Sequence, residues 1–99
     1  MYGLIGKVKI LPGRKQELID ILLENVDHPM PGCISYVVAE DPKDEDAIWI
    51  TELWQSEQYH KASLDLKQVK QAITKGRPLI SDFEYYIETQ PVGGFGLNE

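Results

Sequence analysis

Cysteine occurs once in this chain, at position 33, so an internal disulfide is impossible. Histidine occurs only at 28 and 60, and no His/Cys cluster has metal-ligand spacing, so no metal site is expected. A glycine-rich dinucleotide fingerprint and a phosphate loop are both missing. Positive charge is scarce: ten Lys and Arg stand against sixteen Asp and Glu, a net charge of −6. An acidic chain repels phosphate backbones and anionic lipid, which argues against nucleic acid and membrane partners. No apolar run approaches a membrane span. The first residues, MYGLIGKVKILPG, lack the charged lead and unbroken apolar stretch of a secretory signal. A cytoplasmic location is therefore expected, and Cys33 reads as a small buried apolar residue. Repeats, linkers and low-complexity segments are also missing. At 99 residues the chain has room for one domain, expected over 1–99 with 91–99 as a C-terminal tail.

What is present is a change of hydrophobic period along the chain. Residues 2–11 alternate, with Tyr2, Leu4, Val8 and Ile10 on one face, which predicts a strand. Pro12-Gly13 ends it. From Arg14 the apolar residues Leu18, Ile19, Leu22, Leu23 and Val26 form one stripe of an amphipathic helix. Asp27-His28-Pro29 and Pro31-Gly32 stop that helix. Residues 33–40 and 47–55 predict two more strands around the polar turn 41–46. Ser56 is a good N-cap for a helix from 57 to about 64. Asp65 is read as the cap of another, with the stripe Leu66, Val69 and Ile73 and Gly76 as its stop. Residues 79–89 predict a fourth strand, with Phe83, Tyr85 and Ile87 alternating with Asp82, Glu84 and Tyr86.

The order is β-α-β-β-α-β with the second helical segment divided, an α+β ferredoxin-like antiparallel sheet with helices on one face. Two helical stripes cover one face of a sheet, yet the first three strands are apolar on both. The second face is expected to meet another copy, giving a homodimer and a dimeric α/β barrel. Trp49 and Trp54 differ in parity, so one should face the helices and the other the open side.

PGCISYVV, the acidic hairpin and ITELWQSEQYHKASL together resemble the antibiotic biosynthesis monooxygenase family. LPGRKQEL resembles the lead-in to its first helix, RPLI the lead-in to its last strand, and PVGGFGL the tail of its quinol-monooxygenase-like members. The resemblance implies a cofactor-independent monooxygenase acting with O2 on a quinol-like or enolisable aromatic small molecule. The protein would supply a base, a dry pocket and orientation. A non-catalytic dimeric binding or regulatory module, and an enzyme degrading a small carbonyl signal molecule, are the alternatives on the same fold.

The expected catalytic residues are His60 and Trp54. His60 falls where the family's pocket lies, and an imidazole is suited to proton transfer near neutral pH; otherwise it is a surface helix histidine. Trp54 would wall an aromatic substrate, or simply pack the core. Tyr36, Glu52 and Tyr59 are the expected substrate-binding residues. Glu52 shares parity with Trp54 and Ile50, so its carboxylate should project from an apolar face, where it needs a partner or a raised pKa. An Arg or Lys across the dimer could supply that partner. His28 is read as a solvated loop residue.

Overall fold

The structure is a computed structural model that describes residues 1–24 and 26–97. Four strands and three helices follow the expected order: β1 (Tyr2–Ile10), α1 (Lys15–Leu23), β2 (Cys33–Glu40), β3 (Ala47–Trp54), α2 (Glu57–Ser63), α3 (Lys67–Gly76) and β4 (Ile80–Thr89). A single 3-10 turn, Arg77–Leu79, joins α3 to β4. All strand pairs are antiparallel, in the order β2-β3-β1-β4, so β1 and β3 are central and β2 and β4 form the edges. Among the described residues no helix is long and apolar enough to cross a membrane.

The helices lie on one face of the sheet. Val8, Ile10 and Ile48 project from it and pack with Leu18 of α1 and with Leu79. Leu18 is essentially sealed because α3 approaches α1 closely at Gly76. A Cβ built there would lie 3.0 Å from Leu18 Cδ1. Gly76 is therefore helical, not the left-handed stop expected of it: the chain passes directly into the 3-10 turn.

Two local details depart from the sequence reading. Asp65 does not cap α3. Its own N–H bonds to the Ala62 carbonyl in the turn that closes α2, and Leu66 takes the capping position with no side-chain cap. Ser56 does cap α2, its Oγ accepting from the Tyr59 N–H at 3.4 Å. The alternation expected of β4 is also broken. Register shifts between Lys7 and Val8 and between Lys9 and Ile10 put Phe83 opposite Val8, on the helix face, and Tyr85 opposite Lys7, on the other. A bulge inserts one residue on one strand and reverses the parity beyond it.

The open face carries Ile5, Lys7, Trp49, Thr51, Tyr85 and Ile87. Trp49 and Tyr85 stack across Lys7, with centroids 5.8 Å apart and planes 10° apart, and the Lys7 ammonium lies 5.7 Å from the indole centroid. Asp41 accepts the Trp49 indole N–H at 2.9 Å, and that bond is the main reason its carboxyl is held down at about 2. Beyond β4, Val92 and Phe95 are fully exposed on this chain. Asn98 and Glu99, the end of the expected tail, lie outside the described residues.

Candidate functional site

Between the helix face of the sheet and the three helices is a cavity of about 570 Å³. One part of its wall is apolar, with Val8, Leu18, Leu22, Ile50, Val69 and Phe83. Toward the other end lie Cys33, Tyr36, Glu52, Trp54 and His60. The strand register explains the grouping. Trp54, at the end of β3, is paired on one side with Tyr2 and on the other with Cys33, and Glu52 is paired with Leu4 and Tyr36. The short Gln55-Ser56 turn then returns the chain as α2, which carries His60 back over Trp54.

Trp54 is fully buried, and its indole Nε1 donates to Glu52 Oε1 at 3.1 Å. The His60 ring meets the indole edge-on, with centroids 5.5 Å apart at 66°, and lies 5.6 Å from the Tyr2 ring at 36°. Tyr2 in turn donates its hydroxyl to Glu88 at 2.7 Å. His60 is thus half-buried between two aromatic rings and forms part of the cavity wall.

Burial pushes the Glu52 carboxyl above the ordinary range, against the opposing effects of the Trp54 N–H and of charge on His60. Its negative charge reaches three neighbours. Tyr36, Cys33 and Tyr86 all titrate above their ordinary values, each first by burial and then by Glu52. The polar end of the cavity is therefore a group of neutral hydroxyl and thiol donors around one carboxylate. No Arg or Lys pairs with Glu52 among the described residues.

This arrangement has a consequence for stability. A carboxyl whose pKa is raised by folding stabilises the folded state only when protonated, and stability falls as pH rises through the gap between the unfolded and folded values. Glu52→Gln keeps an oxygen for the Trp54 N–H and removes the buried charge. Its thermal midpoint should exceed that of the wild type at neutral pH, with the difference vanishing at about pH 4, near the unfolded value. Melting curves at the two pH values check this, and an equal midpoint at neutral pH contradicts it.

Of the residues singled out from the sequence, His60, Trp54, Tyr36 and Glu52 are brought together on one wall. Tyr59 is not. It is exposed, and its ring lies over Gly32, where a Cβ would come within 2.2 Å of Tyr59 Cγ. Adjacent helical residues point about 100° apart, so α2 cannot present both Tyr59 and His60 to the same cavity. Cys33 is half-buried on the cavity wall instead of sealed in the core, and His28, exposed as expected, stands at the rim. Tyr2, which meets the His60 ring, and Phe83, on the cavity wall, escaped the sequence reading as site residues. Tyr2 needed the β1–β3 register, and Phe83 needed the bulge in β4.

An antiparallel sheet covered on one side by helices, with a cavity between the layers, defines a ferredoxin-like α+β protein. The sequence model of the family described as antibiotic biosynthesis monooxygenase matches residues 1–75. The chain belongs to that family. A crystal structure from Chloroflexus aurantiacus, named as a candidate antibiotic biosynthesis monooxygenase, is similar to it with 58% identity and a TM-score of 0.94, over 98% of each chain. A similarly named structure from Caulobacter crescentus shares 20% identity and a TM-score of 0.84, covering 93% of this chain and 90% of that one. One from Deinococcus radiodurans shares 22% identity over the whole of both chains, with a TM-score of 0.79. These two more distant likenesses concern the fold alone. Among curated proteins, none matches the chain.

Proposed function

We propose that this protein is a monooxygenase that oxidises a quinol-like or enolisable aromatic small molecule with O2, with His60 as its general base. The observation that carries the reading is the placement of the His60 imidazole on the cavity wall, edge-on to the Trp54 indole and beside Glu52 and Tyr36. A planar ring lying along the apolar wall presents a hydroxyl to that end. Removing the hydroxyl proton makes the ring electron-rich enough to give electrons to O2. For a hydroquinone the balance is hydroquinone + O2 → hydroxyquinone + water. The substrate supplies all four electrons, one oxygen atom forms the new C–O bond, and the other leaves as water. The protein's part is proton removal, orientation and exclusion of bulk water. Tyr36, held neutral, donates a hydrogen bond to a substrate oxygen. Oxygen uptake with a panel of hydroquinones tests the reading. Binding without uptake across the panel would leave a binding module in its place.

The working unit in this proposal is a homodimer. The open sheet face with Trp49 and Tyr85, and the exposed Val92 and Phe95 of the tail, would be covered by a second copy. An interface of the obligate kind buries about 2,000 Å² or more in total. Sedimentation should give a dimer at micromolar concentration, and removal of 91–99 should weaken it. A stable monomer, or a dimer indifferent to loss of the tail, contradicts the proposal.

A further inference from the structure

We infer that this cavity selects a neutral hydroxylated aromatic head and rejects carboxylated relatives of the same ring, and that Glu52 makes the distinction. The inference rests on the reading of the cavity as an aromatic-substrate site, and it adds the charge class of the ligand. Glu52 projects from the middle of the sheet's helix face into the polar end of the cavity. One oxygen, Oε1, accepts the Trp54 indole N–H. Oε2 has no hydrogen-bond or ion-pair partner among the described residues. That acceptor is available to a ligand hydroxyl.

The surroundings offer an anion neutral hydrogen-bond donors but no fixed positive charge. Cys33 and Tyr36 are neutral, and Tyr86 nearby is too. His60 is the nearest group able to carry positive charge. Arg77 is the one Lys or Arg on the wall among the described residues, and it lies at the other end. It precedes Ile80, which pairs with Ile10, whereas Trp54 pairs with Tyr2 at the opposite end of β1. A ligand carboxylate seated beside Glu52 would place two like charges a few ångströms apart in a half-buried site, a repulsion that weakens binding by on the order of tenfold or more. A phenolic hydroxyl in the same place donates to Oε2 and loses nothing. The apolar wall from Ile50 to Phe83 then takes the ring body.

The test uses three probes of one ring system on the full-length protein: 1-naphthol, 1-hydroxy-2-naphthoic acid and the methyl ester of that acid. Binding is measured by calorimetry at about pH 8, above the ordinary carboxyl range. The ester controls for bulk. Expected is binding of naphthol and ester with the acid weaker than the ester by at least about tenfold, and a Glu52→Gln variant in which that ratio falls to about twofold or less. Acid and ester binding equally to the wild type, an unchanged ratio in Glu52→Gln, or no binding of any probe overturns the inference. If Glu52→Gln fails to fold, the wild-type ratio of acid to ester decides by itself. Because binding is read without turnover, a protein that selects as expected but consumes no oxygen separates failure of the monooxygenase reading from failure of this one.

Discussion

His60→Ala should lower the turnover of a hydroquinone substrate by about 10²- to 10⁴-fold, the usual contribution of a positioned general base. The effect should fall mainly on kcat, since the ring body is held by the apolar wall and not by the imidazole. The variant should remain folded, because His60 is half-buried against Tyr2 and Trp54 and lies outside the Val8–Leu18–Ile48 cluster. Added imidazole should restore part of the lost rate, since the deletion leaves a space of that shape on the cavity wall. Steady-state oxygen uptake with and without imidazole checks both statements. A His60→Ala enzyme turning over within about threefold of the wild type would remove His60 from the mechanism, as that is below the range expected of a base.

Trp54→Ala should have the largest effect on stability. Trp54 is among the largest fully buried side chains in the fold. Truncating a buried tryptophan costs about 3–5 kcal/mol, through lost transfer energy and the cavity left behind. For a domain of this size each kcal/mol shifts the midpoint by about 4–8 °C, so a fall of about 12–40 °C is expected. The loss has a second part, because Glu52 Oε1 loses its N–H partner. Trp54→Phe separates the two. It keeps most of the packing, drops the hydrogen bond, and should cost about 1–3 kcal/mol, the penalty for a buried acceptor left unpaired. That smaller cost should shrink in a Glu52→Leu background, where the acceptor is gone. Denaturant unfolding of the four proteins gives the coupling energy directly. Strictly additive costs would show that the indole–carboxylate bond contributes nothing.

The elements of this fold were legible because the hydrophobic period changes cleanly between strand and helix. Leu18 and Leu22 mark α1, and Ile48, Ile50 and Trp54 mark the inner face of β3, with bounds that differ from the expected ones by a residue or two except at the end of α1, which closes at Leu23 and leaves Val26 of the expected stripe in the following turn. The grouping of His60 with Trp54 and Glu52 was legible for a similar reason: all three lie within nine residues, joined by one short turn. Capping was less legible. Asp65 has a suitable side chain, but the backbone around it was already committed to the last turn of α2. Cys33 reaches the cavity wall, and Tyr2 the His60 ring, through pairing between distant strands, and register is set by the whole sheet. The bulges opposite Val8 and Ile10 have no signature of their own in the sequence, so the side of β4 that faces the cavity could not be read from alternation. Tyr59 is next to His60 in the chain but lies over Gly32, off the cavity wall.

The central claim is that oxygen from O2 is inserted into an aromatic ring bound in this cavity, with the substrate as the only electron source. The most direct measurement is turnover of a hydroquinone under 18O2, with mass spectrometry of the product and an assay for hydrogen peroxide, by wild type and His60→Ala. Expected are a hydroxyquinone carrying one 18O atom, one O2 consumed per product, little peroxide, and loss of that product in the variant. A quinone without 18O formed together with stoichiometric peroxide, or labelled product formed equally by His60→Ala, would contradict it.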